Sequence, residues 1–125
     1  MIKFRAWKKI NTQEMFNDVR AIDFDKRIIK IGYQLSRDTT RIDTESLDNV
    51  VLMQSTGLKD KNGVEIFEGD IVKNSHKEVG FIKNCSDAFC FNRQEWNFYL
   101  SGIGAGSPFE ILGNVHQNPE LLEVE

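Results

Sequence analysis

The densest turn chemistry of this 125-residue chain is Thr56-Gly57-Leu58-Lys59-Asp60-Lys61-Asn62-Gly63. Asn62-Gly63 suits a turn with positive φ angles, which Gly adopts freely and Asn adopts better than most residues. A second turn follows at Glu68-Gly69-Asp70, and Ile71-Val72 begins another strand directly after it. Short strands separated by such turns predict an all-β or mainly-β fold.

Towards the N-terminus the hydrophobic pattern has a period of two, which is typical of strands. Asp25-Lys26-Arg27 is short and polar enough to connect two strands as a hairpin. Residues 36–49 are polar and are predicted to be a loop or a short helical turn. The strands predicted in this half are residues 2–7, 15–24, 29–35 and 50–56, with a short helix from Ser46 as the alternative for the last one.

Beyond the turns the same alternation continues. Trp96, Phe98 and Leu100 alternate with polar residues, so Trp96 and Phe98 are predicted to lie in the core. Residues 101–107 are rich in Gly and Ser and lack the Lys and the following helix of a phosphate-binding loop, so a plain hairpin loop is expected. The strands predicted here are residues 78–83, 88–92, 95–100 and 109–115, followed by a short helical turn from Asn118-Pro119.

The fold expected from these patterns is mainly β. We predict a single domain over residues 1–125, with an N-terminal sheet layer over about residues 1–45 and a small SH3-like barrel over about residues 50–117. A short helical turn ends the chain. A domain of this length buries enough surface to fold without a metal ion or a disulfide.

Composition and the cysteines indicate the compartment. The longest apolar stretch is residues 50–53, too short to span a membrane, and the first residues lack a signal-peptide core. The expected location is therefore the cytoplasm, where Cys85 and Cys90 would stay reduced. Their spacing places them on opposite faces if both lie on one strand, which does not suit a shared metal ion.

Charge is distributed unevenly along the chain, whose formal net charge is −3. Residues 1–42 carry ten Lys and Arg and five acidic residues, whereas residues 43–125 carry six and fourteen. One interpretation is a basic face that meets an anionic partner. The other is that the basic third packs beside the acidic remainder, within one molecule or across an oligomer.

Three segments resemble the YopX family of small proteins encoded by phages and prophages. They are residues 52–72, the opening residues 2–7, and the ending at residues 111–115 and 118–122. Ser55 stands where the family often has an aromatic residue, and Lys8 where it often has Asp. The resemblance implies a mainly-β fold and a phage or prophage origin, and it implies neither an activity nor catalytic residues.

Four carboxylates lie within eleven residues, at Asp60, Glu65, Glu68 and Asp70. Such a group raises the possibility of a metal site or acid–base chemistry, but the spacing matches no calcium loop. The favoured interpretation is that these side chains accept backbone N–H groups at the turns. We predict no catalytic residue, no cofactor and no metal. The predicted structural turn residues are Gly57, Asp60, Asn62, Gly63, Glu68, Gly69 and Asp70.

With no catalytic residue predicted, the function class that remains is binding. The first hypothesis is a non-enzymatic phage accessory protein that binds a host or phage protein, as a homo-oligomer. The alternative is a small β-barrel that binds nucleic acid through the basic N-terminal third. The candidate binding face comprises Arg5, Trp7, Lys8 and Lys9, because Arg5 and Trp7 alternate with the apolar residues of the first strand.

Overall fold

A computed structural model describes residues 3–10, 13–85, 88–100 and 108–122 of the chain. The chain divides into two compact units, Met1–Met53 and Gln54–Glu125. The expected mainly-β class is confirmed, since the regular structure consists of antiparallel sheets and two single turns of 3₁₀ helix. Among the described residues no helix is long and apolar enough to cross a membrane.

Five complete strands and the start of a sixth form the first unit. Strands β3, β4 and β5 make a three-stranded antiparallel sheet with β4 at its centre, and β1 lies between β2 and β6. The buried side chains are Ala6, Phe16, Ile29, Ile31 and Val50. The strands are β1 (Phe4–Lys8), β2 (Met15–Phe16), β3 (Val19–Asp23), β4 (Ile28–Gln34), β5 (Thr40–Ser46) and β6 (Val50–Lys59), with a 3₁₀ turn at Leu47–Asn49.

The expectation of a loop over residues 36–49 is wrong for the strand β5. This strand pairs with β4 over seven residues, and its side chains are mostly exposed. A strand at the edge of a sheet obtains its backbone hydrogen bonds from its neighbour and needs no buried face. Its polar composition therefore resembled that of a loop.

The second unit contains the end of β6 and a five-stranded curled sheet in the order β11-β10-β9-β8-β12, antiparallel throughout. Its core is formed by Ile66, Val72, Ile82, Phe91, Leu100 and Phe109. A 3₁₀ turn at Pro119–Leu122 is the expected short helical turn. The strands are β7 (Glu65–Phe67), β8 (Asp70–Lys73), β9 (Val79–Cys85), β10 (Ala88–Arg93), β11 (Trp96–Tyr99) and β12 (Glu110–Asn114).

The two cysteines form a disulfide between neighbouring strands, so the expectation of reduced thiols is wrong for this structure. Cys85 lies on β9 and Cys90 on β10, and Cys85 pairs with Ala88. Cys90, two residues further along, therefore points to the same side of the sheet as Cys85. The condition for opposite faces, that both residues lie on one strand, is therefore not met.

Reduction of this disulfide is expected to lower the free energy of unfolding by about 2 kcal/mol, because the closed loop is short and the hairpin ladder remains. Urea unfolding with and without reductant measures the difference. The double variant Cys85→Ala/Cys90→Ala is the control, and its unfolding should not respond to reductant. Two thiols titrating in denaturant without reductant would contradict the disulfide.

Candidate functional site

Gly57 lies in a bulge of the strand β6. Between the pairs Ser55–Phe67 and Lys59–Glu65, β6 has two more residues than β7. Gly57 takes φ +80°, and the hydroxyl groups of Ser55 and Thr56 accept the N–H groups of Gly57 and Leu58 at 3.0 and 3.1 Å. The bulge is thus closed by local side-chain hydrogen bonds, which Ser and Thr favour in irregular backbone.

Asp60 connects three segments of the second unit. Its side chain is 4% exposed, and Oδ1 accepts the N–H groups of Asn62 and Val64, both at 2.9 Å. Oδ2 accepts the N–H of Ile111 on β12 at 3.1 Å. Burial alone would raise the pKa of Asp60, but the hydrogen bonds from Val64, Ile111 and Asn62 outweigh it and hold the pKa below its usual value.

The turn at Gly63 uses positive φ at one position only. Gly63 takes φ +85°, whereas Asn62 is not among the described residues with positive φ. The N–H of Gly63 donates to the carbonyl oxygen of Asp60 at 3.0 Å, and the N–H of Asp60 donates to Val64 at 2.7 Å. This connection is a tight turn with Gly at its left-handed position.

The second turn is held by Asp70 and Glu68. Asp70 is 2% exposed and accepts the N–H of Phe67 at 2.8 Å, while Gly69 takes φ +90°. The carboxylate of Glu68 accepts the N–H of Gln54 at 3.0 Å. These contacts are those expected of side chains that stabilise a chain reversal.

The four carboxylates of this region do not converge on one point. Glu65 accepts a hydrogen bond from the hydroxyl of Ser55, and the other three each accept different backbone N–H groups. Within the described ranges, no group of three or more His, Cys, Asp or Glu side chains is placed to hold a metal ion.

The four residues of the predicted basic face do not share one exposed surface. Arg5 is 8% exposed, and its Nη2 lies 3.7 Å from Sδ of Met53, so the expectation that it points outward is wrong. Trp7 is half-buried and Lys9 is exposed. Lys8 is half-buried and its Nζ lies 3.1 Å from a carboxylate oxygen of Glu45. Arg5 lies on β1, which has strands on both sides in its sheet, and its guanidinium contacts the side chain of Met53.

The basic excess of the N-terminal third is partly neutralised inside its own unit. Arg27 pairs with Asp48, Arg41 with Asp43 at 2.9 Å, and Lys8 with Glu45. Residues 1–53 carry ten Lys and Arg and eight acidic residues, an excess of only two. The interpretation in which basic residues pack beside following acidic ones describes these pairs.

The most exposed aromatic residues of the second unit lie on β11. Trp96, Phe98 and Tyr99 are 65%, 55% and 59% exposed, so the prediction of Trp96 and Phe98 as core residues is wrong. The alternation itself is present, because Phe98 pairs with the buried Phe91 and shares its face. However, β11 is at the edge of the sheet, where the core ends.

On the face of the sheet that Phe98 shares with Phe91, a row of aromatic rings extends from the core to the surface. The ring centroid of Phe91 lies 5.4 Å from that of Phe109 and 6.4 Å from that of Phe98. A groove of about 340 Å³ is lined by these three rings and by polar residues that include His76 and Glu78. Trp96 shares the face of Phe98, whereas Tyr99 lies on the opposite face of the strand, and we call these three exposed side chains the β11 aromatic surface. Sequence reasoning missed it because alternation does not distinguish a central strand from an edge strand.

Comparison with known proteins gives a family and a structural relative. No curated protein matches the chain. The crystal structure of protein EF1440 from Enterococcus faecalis is similar, with a TM-score of 0.68, 34% sequence identity and coverage of 98% of each chain. The family model described as YopX protein matches residues 3–123. The match covers nearly the whole chain, as the resemblance in three segments predicted, and the chain therefore belongs to the YopX family.

Proposed function

We propose that this protein is a non-enzymatic accessory protein of a phage or prophage that binds a host or phage protein through the β11 aromatic surface. The observation that supports this is the exposure of three large aromatic side chains on β11, two of which, Trp96 and Phe98, share one face of the strand. Contiguous exposed apolar surface is uncommon on proteins that act alone, and it marks interaction sites. Trp and Tyr are also enriched among the residues that contribute most to protein binding.

The charge around this surface favours a protein partner over nucleic acid. The strand β11 has no charged residue, and residues 88–100 contain one Arg and one Glu. A nucleic-acid groove needs several cations near its aromatic residues, because phosphate contacts supply most of the affinity. The alternative face at the N-terminus is weakened by the burial of Arg5 and by the ion pair of Lys8.

The proposed place of action is the cytoplasm of the bacterial host. Disulfides are rare there, so the link between Cys85 and Cys90 would be exposed to cellular reductants. Five residue pairs join β9 and β10 in an antiparallel ladder, which does not require the covalent link. The second unit is therefore expected to keep its fold in this compartment.

Trp96→Ala is expected to reduce the amount of partner protein captured from a nuclease-treated bacterial lysate at least about tenfold, since a central Trp often contributes 2 kcal/mol or more to binding. Tagged wild-type protein and variants are compared by quantitative mass spectrometry. The matched control is Phe24→Ala, because Phe24 is 68% exposed but lies in the first unit. Equal capture by Trp96→Ala and wild type would overturn the proposed surface, and partners lost with nuclease would favour nucleic acid.

A further inference from the structure

One edge of β11 offers unused backbone hydrogen-bonding groups. The N–H of Leu100 donates to the carbonyl oxygen of Phe89 on β10 at 3.1 Å. Backbone groups alternate in direction along a strand, so those of Phe98 also point to β10, whereas those of Asn97 and Tyr99 point away. No described residue pairs with this outer edge. The strand therefore presents two N–H groups and two carbonyl groups outward.

Two other edge strands, β12 and β5, are protected. On β12, the N–H of Ile111 donates to Asp60, and the carbonyl of the preceding Phe109 accepts the N–H of Lys61 at 2.8 Å. Charged side chains are the common protection of an exposed edge, and β11 has none. The strand β5, at one edge of the three-stranded sheet, carries three of them, Arg41, Asp43 and Glu45.

We propose that the outer edge of β11 pairs with β11 of a second copy of this chain, antiparallel and about a two-fold axis at Phe98. In this register Asn97 of each copy lies opposite Tyr99 of the other, and Phe98 lies opposite Phe98. All four outward groups of each strand then find partners, in four hydrogen bonds across the axis. An interface of this kind is isologous, so one surface serves both copies.

The charges near β11 are compatible with a second copy. Glu95 precedes the strand and lies three residues from the axis. The two strands run in opposite directions, so the two Glu95 residues are separated by roughly 20 Å, at about 3.4 Å per residue. That distance exceeds the screening length of about 8 Å at physiological salt. The uncharged centre of the strand brings no like charges together.

The exposed area suits a weak dimer that exchanges with monomer. Aromatic side chains bury about 150–250 Å² each. At the exposures of Trp96, Phe98 and Tyr99, two copies offer roughly 700 Å² of aromatic surface, less than the roughly 1,200 Å² of the smallest standard interfaces. Edge pairing covers only the part of this area next to the strand edge and leaves the sheet faces uncovered, so the area buried in the dimer is smaller still. The pairing joins the Trp96 and Phe98 side chains of both copies into one surface for the protein partner, and this consequence rests on the proposed function.

Sedimentation analysis of the full chain tests the pairing. We expect a mass near twice 14.4 kDa at about 200 µM protein, falling towards the monomer on dilution. Asn97→Pro removes an outward N–H and leaves the bonds to β10, so it should remain monomeric over the same range. Asn97→Ala is the matched control: it also loses the side-chain bond to Asn92 but keeps the N–H, and it should dimerise like the wild type. A monomeric wild type, or an Asn97→Pro variant that dimerises, would overturn the proposal.

Cross-linking tests the register without depending on the folding of the proline variant. Phe98→Cys places two thiols opposite each other at the axis, so mild oxidation should give a covalent dimer. Trp96→Cys is the control, because its two thiols would lie roughly 14 Å apart and should not cross-link. Equal cross-linking of both variants would overturn the register. If the wild type is monomeric but its capture of a partner protein depends on Trp96, the pairing is refuted and the proposed function stands. If the wild type dimerises but capture does not depend on Trp96, the pairing stands and the proposed binding surface is refuted.

Discussion

Gly80→Ala is expected to destabilise the protein by at least about 3 kcal/mol or to prevent folding of the second unit. Gly80 is buried on β9 and pairs with Val72. A Cβ at this position would collide with the carbonyl oxygen of Asn92 and with the ring of Phe91, whose nearest carbons would lie 2.9 Å away. A backbone carbonyl and a close-packed core ring cannot move aside without disrupting the sheet, so overpacking is costly here. Urea denaturation measures the change.

Gly63→Ala is the matched control for this prediction. Gly63 takes φ +85°, but an added Cβ would have no atom within 4 Å. Its cost is therefore conformational only, about 1–2 kcal/mol. Equal destabilisation by the two substitutions would show that the close approach of β9 and β10 at Gly80 does not limit stability.

Asp60→Ala is the second substitution with a large expected effect, a loss of about 3 kcal/mol or more. It removes the acceptor of three backbone N–H groups, those of Asn62, Val64 and Ile111. Each buried donor left without a partner costs about 1–3 kcal/mol, although water can reach the exposed Asn62 and Val64. Asp25→Ala, at an exposed position in the β3–β4 turn, is the control and should change stability by less than about 0.5 kcal/mol.

Stability should also depend on pH through Asp60. The folded pKa lies below the unfolded value of about 3.9, so the folded state favours the charged carboxylate. This contribution is complete above the unfolded pKa and is lost as the pH falls through the folded pKa. The difference in unfolding free energy between wild type and Asp60→Ala should therefore shrink as the pH is lowered from 6 towards 2. A difference independent of pH over that range would contradict the role of the carboxylate.

The turn chemistry was predictable because it is local. Gly57, Gly63 and Gly69 all take positive φ, and Asp60 and Asp70 accept N–H groups within four residues in sequence. Local geometry of this kind follows from the residue types and their spacing. The bond from Ile111 to Asp60 was not predictable in this way, because it joins residues 51 positions apart.

The residues of the candidate site were predicted less well than the turns. Arg5 was expected outside and is buried, whereas Trp96 was expected inside and is exposed. Both errors have one origin. A period of two identifies residues that share a face of a strand, but burial depends on which strands and side chains lie against that face.

The mainly-β class, the positions of the turns and membership of the YopX family could be predicted from the residues alone, because these depend on local residue patterns and on similarity along the chain. The folded chain was needed to show that β1 is internal, that β5 is a strand, that Cys85 and Cys90 meet, and that β11 is an edge. Strand order is set by contacts between residues far apart in sequence, and such contacts leave no local pattern. The exposed aromatic edge, on which both proposals rest, belongs to this second group.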